Sequence, residues 1–591
     1  IKEALDEFMV NFHNLSEEER SGIIDSLREE FGDLGEILTK LNPALEELLG
    51  QCSPLVALEP VREYKRFLMV VSQFILKLSD LAGGLVLVLE NLQWTDEGTV
   101  NLMHELLNEI NGHPLVIIGL YREDEVPETH LLEKFHLDIA SKEVRYTRIH
   151  VEKLDPAAMN KFAAGLLMAP EEQTPPVSDF LYQKTGGNPF FAIELLKQLI
   201  DEGALTHKNN RWAFNDTKLN AIEISDSIVD IILKRMNRLT RNEIDILSCA
   251  SVMGEKFNMQ ILFKVSGLDR TEIVRIIDKA IDLQLLIDLP AWGEIGFAHD
   301  RIKEAFYGSL DAEKRKGLHI GIANAIEESN RDNLAPVIFE LAHHFIEGGD
   351  TDRAIIFAFP AGIMAMGKYA NEEALKYFRT ALELLEKEGH RGSIQWIKIQ
   401  VNMSLVFLTI GSYDRAIETL SEVAPLMESD VEKADIYSHM CAAYLRKGDW
   451  KKCEEYAIRS GELLGERFTD NKVILIATLI KELALLGLFS LFPRLVVRFR
   501  RGKFVEYNKL KAKFAVPVLW SYIYSNTLKF TRFTLRALNI AISKIGKSPE
   551  LGMAIGGFGS ILMAMSRFNL ALKYLTIALS MREQLQDQWG S

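Results

Sequence analysis

The chain has 591 residues, 48% hydrophobic and 26% charged, which is the make-up of a multidomain globular protein and excludes a disordered or fibrous one. A net charge of −15 disfavours non-specific nucleic-acid binding through the charge of the whole molecule. Cys52, Cys249, Cys441 and Cys453 are scattered and form no C-x-x-C pair, which argues against a disulfide framework or a cysteine-rich zinc site and fits a reducing cytoplasm.

The chain opens at Ile1 on a charged helical run without a signal-peptide pattern, and the expectation is a piece cut from a larger protein. Residues 1–80 read as helices with acidic faces. After Gly83-Gly84 the run Leu85–Glu90, LVLVLE, predicts a strand buried on both faces of a parallel sheet. A helix pattern closed by Asn111-Gly112 follows, and then a second such strand over Pro114–Asp124. This spacing is a βαβ unit. Residues 150–225 read as helical, with loops at Gln173–Pro176 and Thr185–Pro189. From 225 to 310, short helices precede a hairpin over Leu285–Asp300 with its turn at Pro290–Gly293, which suggests a winged-helix module. Its stretch Asp269–Asp282, DRTEIVRIIDKAID, is acidic and amphipathic, suited to packing and not to reading DNA.

From 311 onward the chain reads as helical, with a weak repeat. Each phrase carries a turn, an aromatic (Tyr369, Tyr413, Trp450, Phe568) and then a small residue (Ala374, Ala416, Cys453, Ala571), as in tetratricopeptide-like arrays. Val473–Phe492 is mostly apolar, but Lys481 and Glu482 interrupt it. A buried helix hairpin with that pair on its wet side is expected, and no membrane span. Arg494–Lys513 holds eight basic residues with interleaved aromatics, either a solvated helix face or a surface for RNA or anionic lipid.

The chemistry-bearing pattern is LVLVLENLQWTDEGT. A strand ending in an acid is how nucleotide-hydrolysing folds place a Mg²⁺-holding carboxylate at the sheet's C-terminal edge. The companion strand ends in Tyr121-Arg122, which sets a cation at the same edge, for a terminal phosphate or for a structural Glu–Arg pair. Taken alone, Gly187-Asn188-Pro189 is a loop and helix start, and a lone histidine such as His299 after a hairpin is ordinarily a satisfied surface or core residue.

LENLQWTDEGT, LYREDE, HVEKLDPAAM, TGGNPFFAIELLKQLIDEGAL and FAHDRIKEAFYGSL, in that order over about residues 1–320, resemble the signal transduction ATPases with numerous domains, in particular the ATPase module of large sensor kinases, serine/threonine kinases and nucleotide cyclases. The resemblance implies a partial P-loop α/β core (1–150), a helical lid (151–224), a winged helix (225–310) and an all-α tetratricopeptide-like solenoid (311–591). It implies that Glu90 is the Walker B acid holding Mg²⁺ and Arg122 a sensor arginine. Asn91 would stand where a second carboxylate usually activates water, so hydrolysis would be slow or absent, since an amide is no general base. Pro189 would pack near adenine and His299 would touch the β-phosphate of ADP. The family's G-x-x-x-x-G-K-[ST] loop does not occur in the 591 residues, so ATP/ADP binding would be poor unless that loop were restored. The implied function is an ATP/ADP switch in which a protein or small-molecule inducer on the array controls an effector domain outside this sequence, with a nucleotide-dependent oligomer as one form of output. Two other readings stay open: a nucleotide-independent interaction scaffold, and a transcriptional regulator of the same plan.

Overall fold

The computed structural model describes residues 2–584 apart from 53–54, 56–59, 128–129, 141–143, 209–210, 216, 219–235, 237, 290–293, 492–521, 523–525 and 546–547. The basic run Arg494–Lys513 and the turn Pro290–Gly293 therefore lie outside the described residues. The chain divides into two units, one of residues 1–146 with 358–591 and one of residues 147–357.

The first unit begins with helices α1 (Lys2–His13), α2 (Glu17–Phe31), α3 (Gly35–Leu41), the single turn α4 (Glu46–Leu49) and the long α5 (Pro60–Leu81). A capping box starts α2: Ser16 Oγ accepts the Glu19 N–H at 3.3 Å, and the Glu19 carboxylate accepts the Ser16 N–H at 3.0 Å. Strand β1 (Leu85–Leu89), helix α6 (Glu97–Glu109) and strand β2 (Leu115–Gly119) form the expected βαβ unit, in parallel register from Leu85↔Leu115 to Leu89↔Gly119. Helix α7 (Leu131–Ala140) follows. Leu87 and Leu115 share a core with α5 and α6, and Leu89 and Ile117 pack with α7. All these strand residues point the same way, so the helices cover one face only. Val86, Val88, Val116 and Ile118, on the other face, are 43–57% exposed. The expectation of burial on both faces fails because no described element lies on that side.

In the second unit, α8 (Pro156–Leu167), α9 (Pro175–Thr185) and α10 (Pro189–Asp201) enclose Met159, Leu181, Leu195 and Leu199. Pro175 and Pro176 sit in the first turn of α9 and not in a loop, because the missing proline N–H costs nothing there. A hairpin of β3 (Leu205–Lys208) and β4 (Arg211–Phe214) follows where only helix was expected. It is anchored by Leu205, which is buried, and by Trp212, whose Nε1 donates to the Leu167 carbonyl at 3.1 Å.

Beyond it come α11 (Arg241–Met253), β5 (Lys256–Phe257), α12 (Met259–Ser266), α13 (Arg270–Asp282), β6 (Leu286–Leu289), β7 (Glu294–Phe297) and α14 (Asp300–Gly308). The strands form one antiparallel sheet in the order β5-β7-β6 around a core containing Leu247, Leu262, Ile273, Ile276 and Phe306. Glu243 on α11 is buried. It completes a capping box with Thr240 and accepts Lys279 Nζ of α13 at 2.7 Å. Helices α15 (Ala312–Ser329), α16 (Ile338–Gly348) and the start of α17 (Thr351–Gly367) complete this unit.

The rest of the array belongs to the first unit: α18 (Asn371–Lys387), α19 (Ile394–Thr409), α20 (Tyr413–Val423), α21 (Asp430–Lys447), α22 (Trp450–Leu463), α23 (Lys472–Leu491), α24 (Thr527–Ile540), α25 (Pro549–Ala564) and α26 (Phe568–Gln584). From α18 to α22 and again from α23 to α26, successive helices pack on one another in a solenoid-like succession. Tyr413, Trp450 and Phe568 open α20, α22 and α26 after Gly411, Gly448 and Ser566, whose φ values are +78°, +83° and +60°. Ala416, Cys453 and Ala571, three residues on, are buried where a neighbouring helix passes closely. The first phrase has a shifted register: Asn371 opens its helix, Ala374 is the small residue, and Tyr369 lies ahead in a left-handed conformation at φ +59°. Cys441 and Cys453 are free buried thiols with sulfurs 3.1 Å apart on α21 and α22.

In helix α23 Lys481 is exposed as expected, but Glu482 turns inward. Glu482 is 4% exposed, while Val473, Ile480 and Leu483 are 47–75% exposed. Its carboxylate lies 3.4 Å from Arg536 Nη1 and accepts Asn539 Nδ2 at 2.8 Å, and Arg536 also pairs with the buried Glu466 at 3.0 Å. These partners on α24 hold the acid inside. Among the described residues no helix is long and apolar enough to cross a membrane. Glu482→Ala is expected to weaken the α23–α24 packing by about 3 kcal/mol, because it leaves buried charge under-compensated. Hydrogen–deuterium exchange should show faster amide exchange in both helices, and Glu482→Gln should have a smaller effect.

Candidate functional site

At the end of β1 the chain leaves the sheet through a closed backbone clasp. The Leu120 N–H donates to the Leu89 carbonyl at 2.8 Å and the Leu92 N–H to the Leu120 carbonyl at 3.0 Å. Glu90 is the first residue past the strand and is exposed. Asn91 takes φ +56°, a left-handed conformation that asparagine tolerates, and its Oδ1 accepts Gln93 Nε2 at 3.2 Å. Gln93 is 5% exposed, and its Oε1 accepts the backbone N–H of Arg122 at 3.3 Å. A single buried amide thus bridges the ends of both strands. The Arg122 guanidinium pairs with Glu125 at 3.0 Å and not with Glu90. The acid and the cation occupy the same sheet edge, each open to solvent. Gln93 was not singled out from sequence, although it stands three residues past the acid in ENLQW.

A Mg²⁺ ion carried with nucleotide phosphates takes one or two protein carboxylates and fills its shell with phosphate and water oxygens. Glu90 fits as one such carboxylate. Asn91 does not supply a second carboxylate, being a neutral amide whose oxygen accepts from Gln93.

The second group of expected residues lies in the other unit. Gly186 and Gly187 take φ +58° and +82°. Gly187 also meets the backbone of Leu154: a Cβ there would stand 2.2 Å from the Leu154 carbonyl oxygen, and the Leu154 N–H donates to the Gly187 carbonyl at 2.9 Å. Asn188 caps α10, with its Oδ1 accepting the Phe191 N–H at 3.0 Å, and Pro189 is the first helical residue. Pro189 is exposed. Phe190 beside it stacks on His299, with ring centroids 4.2 Å apart and planes inclined by 23°. His299 caps α14, its Nδ1 accepting the Arg301 N–H at 3.1 Å. In the neutral ring the hydrogen therefore sits on Nε2, which is left as a donor. The turns carrying Pro189 and His299 meet through Phe190, a residue that sequence reasoning passed over as part of an apolar helix start.

In the first unit the array reaches the α/β layer directly. The Tyr369 ring lies 4.5 Å from that of Phe67 and 5.7 Å from that of Tyr64, both on α5, and α19 packs along the same helix. Helix α18 meets α6, the helix that follows the β1 acid, and Glu372 lies near Asp96 and Glu97 at its start. Partial burial and the nearby charges of Asp96 and Glu97 push the Glu372 pKa above the ordinary carboxylate range.

No family model matches the chain. The chain is 22% identical over 391 residues to hybrid signal transduction histidine kinase G of Dictyostelium discoideum, and the match takes in 55% of this chain and 11% of that protein. It therefore spans about a tenth of the length of that relative. Among solved structures, a signal transduction ATPase with numerous domains and a tetratricopeptide repeat sensor from Pyrococcus horikoshii is 15% identical with a TM-score of 0.37, over 95% of this chain and 70% of that one. The quorum sensor NprR from B. thuringiensis, in its apo form, is 17% identical with a TM-score of 0.21, over 54% of this chain and 96% of that one.

Two outcomes follow from these contacts. A double-mutant cycle of Phe190→Ala and His299→Ala should give a coupling of about 0.5–1.5 kcal/mol, the value of a stacked ring pair, in the unfolding of the second unit. A raised carboxyl pKa favours the folded state at low pH and opposes it once the group ionises. Glu372→Gln should therefore stabilise the fold at pH 7 by no more than about 0.5 kcal/mol, for a partly screened site, read as a slight rise in melting temperature. The gain should vanish near pH 4, where the native acid is itself protonated.

Proposed function

We propose that the chain is the regulatory part of an ATP/ADP-controlled switch in a larger signalling protein. The observation that carries this reading is the Phe190–His299 stack, which joins the helix start at Pro189 to the cap of α14 and leaves the His299 Nε2 as a donor. In this reading residues 225–310 are the winged helix, whose described part holds the four helices α11 to α14 and a three-stranded sheet with a hairpin. Residues 151–224 are the lid. Pro189 packs near adenine, and the His299 Nε2–H donates to a β-phosphate oxygen of ADP. Glu90 supplies a carboxylate to Mg²⁺, and Arg122 exchanges Glu125 for the terminal phosphate. The ion, when bound, would offset phosphate charge. Asn91 cannot take a proton from water, so the reading is one of binding with little hydrolysis.

Discrimination between nucleotides would arise because each stabilises a different arrangement of the protein. The array supplies the input. It touches α5 through Tyr369 and the start of α6 through Glu372, so a protein or peptide bound along it would act on the helices that support Glu90. The likeness to a hybrid histidine kinase suits a regulatory segment tied to a separate effector. The engaged amide of Asn91 and the lack of a phosphate-cradling G-x-x-x-x-G-K-[ST] sequence favour the second reading, a nucleotide-independent scaffold.

Calorimetric titration of MgADP and MgATP into the longest natural form of the chain separates them. The switch reading expects ADP to bind more tightly than ATP, with His299→Ala weakening ADP at least about tenfold, the loss of one charge-assisted hydrogen bond. If neither nucleotide binds, or His299→Ala leaves the ADP affinity unchanged, the scaffold reading replaces it.

A further inference from the structure

Three histidines outside the nucleotide reading converge between α15 and α16. The ring nitrogens offered by His319, His343 and His344 all lie within 4.8 Å of one another. His319 is 1% and His344 4% exposed, and their Nδ1 atoms approach to 2.9 Å. His343 is exposed at the rim. On its far side, the His319 Nε2 lies 3.2 Å from the hydroxyl of Tyr307 on α14. Tyr307 is held in turn by Arg315, whose guanidinium sits 4.4 Å over its ring and donates to its carbonyl at 3.3 Å.

We propose that His319, His343 and His344 form a binding site for a divalent transition-metal ion of the zinc type. Three imidazole nitrogens with no carboxylate among them suit Zn²⁺, Co²⁺, Ni²⁺ or Cu²⁺ and exclude Mg²⁺ and Ca²⁺ as preferred occupants. Tetrahedral coordination at about 2.0–2.1 Å sets the nitrogens roughly 3.3 Å apart. The Nδ1 atoms of His319 and His344 are already about that close, and the ring nitrogen of His343 stands within 4.8 Å of theirs. Tyr307 is an outer-sphere partner of the kind that fixes a ligand's tautomer. Without metal, one of the two Nδ1 atoms carries the hydrogen shared between them. With metal, both Nδ1 lone pairs face the ion, that ring's hydrogen moves to its own Nε2, and at His319 the Nε2–H donates to the Tyr307 oxygen. No proton leaves the pair, and a water completes the fourth position.

Burial, more than any neighbour, holds the pKa of His344 down to about 3 and that of His319 to about 4, with the other histidines of the group and, for His319, Arg315 acting the same way. A bound ion would clamp α15 to α16, and through Tyr307 would tie both to the end of α14.

The test is Co²⁺ titration of the full chain, followed by the visible ligand-field absorption of four-coordinate cobalt, with Zn²⁺ as competitor. One equivalent should bind, and Zn²⁺ should displace it and raise the melting temperature. His343→Ala, an exposed change that leaves the buried pair intact, should weaken binding by about 10–100-fold, as should His344→Gln. His390→Ala, at an exposed histidine of the other unit, should leave it unchanged. The proposal is overturned if no one-to-one binding occurs, if the bound cobalt is six-coordinate, or if His343→Ala binds cobalt as tightly as the unchanged chain.

Discussion

The clasp that closes the ends of β1 and β2 is the constraint on which the first unit turns. Two backbone hydrogen bonds between Leu89, Leu120 and Leu92 fix where the strands stop, and the in-register parallel pairing fixes that they stop together. Everything chemical at that edge follows from these stops. Glu90 emerges at one strand end and Arg122 at the other, and the buried amide of Gln93 spans the gap. A buried amide is costly unless its donors and acceptors are used, and Gln93 uses both ends of its side chain on the two residues that need placing.

Helix α5 is the shared floor of that unit. One side closes the α/β core, through residues such as Phe74 and Leu78 packed with Leu87 and Leu115. Another receives the array, through Phe67 and Tyr64 against Tyr369. A displacement of the array is therefore a displacement of a surface that α5 helps to form, with no linker to absorb it. Tyr369 holds a left-handed backbone conformation, unfavourable for an aromatic residue and maintained here by the ring contacts on α5.

Much of this was legible in the chain, for identifiable reasons. Valine-rich runs bounded by glycine gave the two strands and the βαβ connection, because apolar continuity is what a buried parallel strand requires. Turn residues followed by an aromatic and a small residue gave the register of α20, α22 and α26. The first phrase misled because Tyr369 imitates that aromatic while packing on a partner far away in sequence. The inward Glu482 was illegible for a similar reason: its partners Arg536 and Asn539 are distant in the chain, and periodicity sees only near neighbours. Burial on both faces of the sheet was wrong because strand composition reports apolar character and not which neighbours are present. At the candidate site, Glu90, Arg122, Pro189 and His299 stood out as residue types, whereas Gln93 and Phe190, which position them, carry no chemical signature of their own.

The ion network around Arg536 adds a second temperature dependence to the far end of the array, besides that of its apolar contacts. Charged groups are hydrated with a strongly negative entropy, so the cost of stripping water from Glu466, Glu482 and Arg536 falls as temperature rises. Hydrophobic contacts weaken on cooling for a different reason, the heat-capacity change of exposing apolar surface. Both effects act in the same direction here: the α23–α24 pair loses on chilling what it holds when warm.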